Sequence, residues 1–216
     1  MDLMQSETLK WKICGMKYDE NIRVTAALEP AYLGFIFWNK SPRFLDGLIP
    51  EIPKEIKKTG VFVNATLETM ECHIQQYDLQ AVQLHGDESE AVCHYLKETG
   101  VEVIKAFAVH EDFDFSVLRP YENSCNFFLF DTKGKLPGGN GYAFDWKLLK
   151  NYPSSTPFFL SGGIGLESVS EIQKISRLEL PLYGIDVNSQ FETAPGLKNT
   201  EQLKVFKNEL AACSIM

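Results

Sequence analysis

The stretch GVFVNATLETMECHIQQYDLQAVQLHGDESEAVCHYLKETGVEVIKAFA, residues 60–108, decides the fold. It opens on a short apolar run, Val61-Phe62-Val63, rich in β-branched and aromatic residues. Leu67–Tyr77 then carries apolar residues at helical spacing. Ala81–Leu84 is another short run and ends in His85-Gly86-Asp87. Glu88–Glu98 reads as helix, stopped by Gly100, and Val101–Ala108 as strand. Strands that alternate with helices across short connections belong to a parallel sheet, because parallel neighbours need a crossover segment.

The same period continues in both directions. Towards the N-terminus, a strand over Lys10–Cys14 is followed by a helix from Asp19-Glu20-Asn21 to about Leu28, closed by Pro30. A strand over Tyr32–Trp38 leads into a loop, Asn39–Arg43, and a helix over about Pro53–Lys58. Towards the C-terminus come a weak helical turn, Phe113–Leu118, and a strand, Asn126–Phe130, with Asp131 at its end. A Gly-rich loop, Thr132–Gly141, precedes a short helix, Asp145–Lys150. The strand Pro157–Leu160 ends in Ser161-Gly162-Gly163. A helix over Glu167–Ser176, a strand over Leu182–Val187 and a helix over Asn199–Leu210 complete the pattern. Eight strand-then-helix units in 216 residues predict a closed (β/α)8 TIM barrel over an open sheet. The expectation is a single barrel domain over residues 1–216, with residues 1–8 as a flexible N-terminal extension.

Composition narrows the classes of function. Hydrophobic residues make up 44% of the chain, enough for a sizeable core, and no apolar run is long enough to span a membrane. Met1 to Thr8 is polar and acidic, unlike a signal peptide. Five cysteines, without repeated spacing, do not form a disulfide framework and do not show zinc-binding spacing. The expectation is a reduced, cytoplasmic protein, monomeric or homodimeric, without metal. A net charge of −8 argues against nucleic-acid binding. It leaves room for a small anionic ligand, which local backbone N–H groups and one or two arginines would hold.

In such barrels the reactive groups sit at the C-terminal ends of the strands. Those ends carry Cys14, Asn64, His85, Asp131, Gly162-Gly163 and Asp186, with Arg43 in a neighbouring loop. Strand parity sharpens the picture, since residues two apart share a face. Lys12 pairs with Cys14, Gln83 with His85, and Asp186 with Asn188, while the intervening Ile13, Leu84 and Val187 suit the helix-facing side. Lys12 beside Cys14 is expected to favour the thiolate and depress the thiol's pKa. Asp186 is expected either to pair with Lys12 across the closing seam or to meet a sugar hydroxyl. Gly162 and Gly163, with Asn188 and Ser189, are expected to form the phosphate site that these barrels build after their last two strands. His73, His94 and His110 lie away from the strand ends and read as solvated.

Several segments, in combination and in order, resemble the phosphoribosylanthranilate isomerase family of tryptophan biosynthesis. They are Lys12-Ile-Cys-Gly15, Gly34-Phe-Ile-Phe-Trp38 with Ser41-Pro-Arg43, Gly60-Val-Phe-Val-Asn64 and Val82-Gln-Leu-His-Gly-Asp-Glu88. Further on come Asp131 with Gly138-Gly-Asn-Gly141, Phe144-Asp-Trp146, Ser161-Gly-Gly163, and Gly184-Ile-Asp-Val-Asn188 with Pro195-Gly-Leu-Lys198. The resemblance implies an Amadori rearrangement of a phosphorylated aminoaldose, without metal or organic cofactor. It implies Cys14 as base and Asp131 as acid. Arg43 suits the anthranilate carboxylate, because a guanidinium makes bidentate contacts with one. His85 and Asp186 are further candidates for substrate contact. Two positions depart from the family pattern. Asn140 replaces a threonine, and Gln190 replaces a glycine whose positive φ a glutamine copies only at a cost.

Another phosphosugar isomerase or epimerase on the same barrel is the nearest alternative, and it would not need Cys14 together with Asp131. A non-catalytic ligand-binding barrel would not need both proton carriers. A thiol redox protein would need a resolving cysteine near Cys14, and the sequence has none close by.

Overall fold

The structure, a computed structural model, describes residues 9–132 and 146–213, without the side chains of Thr132, Lys147 and Cys213. The extension at 1–8, the Gly-rich loop with Gly138–Gly141, and Asp145 lie outside the described residues. Eight parallel strands close into a barrel in sequence order: β1 (Lys10–Ile13), β2 (Tyr32–Ile36), β3 (Lys57–Phe62), β4 (Ala81–Leu84), β5 (Glu102–Val109), β6 (Phe127–Thr132), β7 (Phe158–Ser161) and β8 (Leu182–Val187). Closure runs through β1 and β8, where Lys12 pairs with Asp186 and Ile13 with Val187. The Cys14 N–H extends the ladder to the Val187 carbonyl at 2.9 Å.

The outer layer is an incomplete ring of helices. α1 (Asp19–Ala26), α2 (Leu67–Tyr77), α3 (Glu90–Glu98), α4 (Val169–Ser176) and α5 (Thr200–Cys213) are α-helical. Single 3₁₀ segments stand after β5 (Phe115–Tyr121, ending beside Pro120) and after β6 (Trp146–Asn151). The helix expected over Pro53–Lys58 is absent. Lys57 and Lys58 belong to β3, paired with Tyr32 and Leu33, and only a turn from Pro53 to Ile56 precedes them. Prolines at 50 and 53 leave too little room for a helix before the strand must begin. His73 is not a solvated side chain. It packs between Phe37 and Tyr77, with ring centroids 4.6 and 5.8 Å away, and with Phe62 these rings cover the outer face of β2 and β3.

Two cores result from the strand parity. Outward residues, among them Ile13, Leu84 and Val187, meet the helices. Inward residues at the N-terminal end form a separate plug of Tyr32, Ala81, Ile104, Phe127, Leu129 and Phe159, with Tyr183 against it. Phe159 contacts Tyr32, Phe127 and Tyr183 at centroid distances of 5.4, 5.4 and 5.2 Å. Burying each such side chain contributes about 1.5–3 kcal/mol. The plug fixes the strands, and therefore the polar groups at the opposite end.

Candidate active site

At the C-terminal end, a cavity of about 230 Å³ opens between the strand ends. Of the residues expected at the site, Cys14, His85, Asp131, Gly162, Gly163, Asp186, Asn188 and Ser189 line it. Arg43 is not among the lining residues.

The β1–β8 wall is built on a buried ion pair. Lys12 Nζ donates to Asp186 Oδ1 at 2.7 Å, and Ser161 Oγ donates to Asp186 Oδ2 at 3.2 Å. Of the two roles expected for Asp186, the structure places it on Lys12. Burial works toward a neutral Lys12 amine, but Asp186 and the Cys14 thiol outweigh it and hold the ammonium above lysine's ordinary range. Gly34 makes the space. A Cβ there would lie 2.8 Å from Cys14 Sγ, closer than real Cβ atoms sit, and a tight 3.2 Å from Lys12 Nζ.

The expected depression of the Cys14 pKa is not found. Burial pushes the thiol up, Lys12 and Lys198 pull it down, Asp186 pushes it up again, and the balance lies above the ordinary thiol value of 9.0. Burial is the largest influence, and Asp186, which holds the Lys12 ammonium, offsets part of what Lys12 gives the thiolate.

The β4–β6 wall carries a three-residue chain. Gln83 Nε2 lies 3.0 Å from His85 Nδ1, and His85 Nε2 lies 3.3 Å from Asp131 Oδ2. The backbone fixes the imidazole's base, since His85 N–H donates to the Phe62 carbonyl at 2.8 Å. The following turn is braced from the helix side. Glu88 accepts from the N–H groups of Asn64 and Gly86 at 2.8 and 2.9 Å, and Lys105 Nζ donates to the Gly86 carbonyl at 2.7 Å. Asn64 thus serves the turn, at a φ of 52° that asparagine tolerates better than most residues.

The third wall is rich in backbone donors. Gly162 and Gly163 have φ of 94° and 64°, the left-handed region that favours glycine, and they turn the chain from β7 toward α4. After β8, Asn188 leads into a single 3₁₀ turn over Ser189–Phe191. Gln190 is not among the residues with positive φ, so the substitution carries no backbone strain.

Arg43 sits at the edge in a clamp that the sequence reading missed. Its Nε and Nη2 donate to Glu192, with contacts of 2.9 and 3.0 Å from Nε and 2.6 Å from Nη2. Glu192 belongs to a hairpin, β9 (Glu192–Ala194) and β10 (Leu197–Lys198), which the strand-helix period did not predict. Lys198 Nζ, with its side chain 0% exposed, donates to Glu192 Oε1 at 2.7 Å and to Asn188 Oδ1 at 2.7 Å. Burial favours the protonated Glu192, but hydrogen bonds from Arg43 and Lys198 outweigh it and hold the carboxyl below its ordinary value. The available signal was the Pro195-Gly196 turn between Glu192 and Lys198, two chemistry-bearing residues six apart.

Among the described residues, no group of three or more His, Cys, Asp or Glu gathers to hold a metal ion, and no helix is long and apolar enough to cross a membrane. Cys14, Cys72, Cys93 and Cys125 are free.

Comparison with known proteins shows what the whole chain is similar to. The family described as N-(5'-phosphoribosyl)anthranilate (PRA) isomerase matches residues 11–209. An N-(5'-phosphoribosyl)anthranilate isomerase of Parabacteroides distasonis is 42% identical, covering 92% of each chain. The crystal structure of phosphoribosyl anthranilate isomerase from Thermotoga maritima superposes with a TM-score of 0.82 at 30% identity, covering 94% of this chain and 99% of that one. A phosphoribosyl anthranilate isomerase in complex with reduced 1-(o-carboxyphenylamino)-1-deoxyribulose 5-phosphate superposes with a TM-score of 0.78 at 28% identity, again covering 94% and 99%.

Proposed function

The chain belongs to the N-(5'-phosphoribosyl)anthranilate isomerase family, and on that premise we propose how its cavity carries out the family's reaction. That reaction is the Amadori rearrangement of N-(5-phosphoribosyl)anthranilate to 1-(2-carboxyphenylamino)-1-deoxyribulose 5-phosphate, a step of tryptophan biosynthesis. The observation that carries the proposal is one cavity lined by Cys14 and Asp131, with the Gly162-Gly163 and Asn188-Ser189 turns beside them. An anion bound at those turns sets a sugar between the two proton carriers.

Asp131 donates a proton to the furanose ring oxygen as the C1–O bond breaks, and the ring opens to an iminium. The iminium acidifies the C2 proton, and Cys14 removes it as thiolate. The resulting enolamine tautomerises to the ketone. A thiolate formed from a weakly acidic thiol is a strong base, which suits a carbon acid. Lys12 and Lys198 are the counter-charges that lower the cost of forming it. Arg43 meets the anthranilate carboxylate with Nη1 and the N–H of Nη2 that Glu192 leaves free, since a guanidinium has five N–H donors in a rigid fork.

The test is to add phosphoribosylanthranilate and follow the loss of anthranilate-type fluorescence in wild type and in Asp131→Asn. Wild type should turn over. The Asn variant should bind with nearly unchanged affinity and lose about 10²–10⁴-fold in kcat. A full rate in Asp131→Asn would remove Asp131 from the mechanism.

A further inference from the structure

We infer that Gln83 is a positioning residue that holds His85 in the neutral tautomer protonated at Nε2, so that the imidazole donates to Asp131 as that carboxyl gives up its proton. The inference rests on the reading of Asp131 as the acid. Gln83 is 1% exposed, and strand parity places it on the same inward face as His85. Its amide nitrogen lies 3.0 Å from Nδ1. An amide nitrogen only donates, so Nδ1 accepts, and a neutral imidazole then carries its one N–H at Nε2, facing Asp131 Oδ2 at 3.3 Å.

The backbone that carries the ring is held, since the His85 N–H donates to Phe62 and the following turn is braced by Glu88 and Lys105. Facing it from the other elements around the cavity are Asp131 on β6, Cys14 after β1 and Asp186 on β8, and Asp186 is occupied by Lys12 and Ser161.

The chemical consequence is a matter of degree. An imidazolium beside Asp131 would hold it ionised from the start and leave no proton to deliver. A neutral N–H stabilises the carboxylate only as charge develops on it in the transition state.

The experiment is ¹⁵N NMR of histidine-labelled protein near neutral pH, with the His85 signals assigned by their loss in His85→Asn. Wild type should show a protonated Nε2 and an unprotonated Nδ1. Gln83→Glu replaces the donor by an acceptor of the same shape. It should convert His85 to the doubly protonated form and lower kcat about tenfold, with KM within about twofold. An Nδ1–H tautomer in wild type, or unchanged imidazole signals together with a wild-type kcat in Gln83→Glu, overturns the inference. If Asp131→Asn keeps full activity while His85 shows the Nε2–H tautomer, the acid assignment fails and the tautomer assignment stands. If Asp131→Asn is inactive and His85 shows Nδ1–H, the inference alone fails.

Discussion

At the N-terminal end of the barrel, Tyr32, Phe127, Phe159 and Tyr183 fill the interior with ring contacts 4.2–6.3 Å apart, and the Tyr32 and Tyr183 hydroxyls satisfy each other at 3.1 Å. At the C-terminal end, inward positions on the same barrel go to Lys12, Gln83, Asp131, Ser161 and Asp186. There the packing is open and charges are buried. The plug is built of packed rings, and the mouth gives its interior to polar and charged side chains. Stability should therefore concentrate at one end and turnover at the other.

The largest effect expected is at Cys14. Cys14→Ser should leave the unfolding midpoint unchanged and cut kcat by about 10⁴-fold, the upper range for losing a proton carrier. In wild type, kcat/KM should trace a bell against pH, because the proposed base Cys14 acts deprotonated and the proposed acid Asp131 acts protonated. Burial, which pushes the Cys14 thiol above its ordinary value, moves the limb it governs to higher pH. Near-normal turnover by the serine variant would erase the division of labour between the two ends.

Phe159→Ala should do the reverse. Truncating a fully buried ring that touches three other aromatics should cost about 3–5 kcal/mol in denaturant unfolding. The molecules that remain folded should keep wild-type KM and kcat. A fall in kcat as large as the Cys14 effect would show that the plug is coupled to the chemistry.

Lys12→Met should blur the boundary. It leaves Asp186 buried without its partner, which costs about 3–5 kcal/mol. It also removes the nearest cation from Cys14, so kcat should fall as well. Loss of only one of the two would assign Lys12 wholly to structure or wholly to chemistry.

Arg43→Ala should raise KM about tenfold and change kcat less, because a carboxylate contact away from the reacting bond is present in ground and transition states alike. A large fall in kcat at constant KM would place Arg43 in the chemistry.

The smallest effect concerns Glu192. Its folded-state pKa lies below the ordinary 4.5, so it contributes stability above that pH that is lost as pH falls through the folded value. Glu192→Gln should flatten the acid side of the stability profile below about pH 4.5, measured by thermal unfolding across pH. An unchanged profile would mean that the clamp adds nothing to stability.

What the sequence disclosed depends on the range of the interaction. The strand-helix period, the inward parity of Lys12 and Cys14 and the meeting of strands one and eight follow from local pattern plus closure. Lys12–Asp186 was thereby legible across 174 positions. Arg43–Glu192 spans 149 positions and was not, because it depends on a hairpin outside the repeating pattern. The helix expected at 53–58 failed because Lys57 and Lys58 look like a polar helix face. They lie instead at the strand's start, where Lys57 reaches Glu102 and Lys58 reaches Asp78. The direction of the Cys14 shift was beyond reach, since charge is visible in a sequence and full burial is not.

The closing seam has a consequence for how the chain comes into being. Cys14 donates its N–H to Val187, and Lys12 reaches Asp186, so the proposed base and its nearest cation are joined to the last barrel strand to leave the ribosome. Until residue 187 emerges, β1 and β7 remain unpaired edges, and exposed edges invite association with other chains. The β1–β8 wall of the cavity is therefore the last part of the barrel to be assembled, and the appearance of turnover during synthesis or refolding should time the moment of closure.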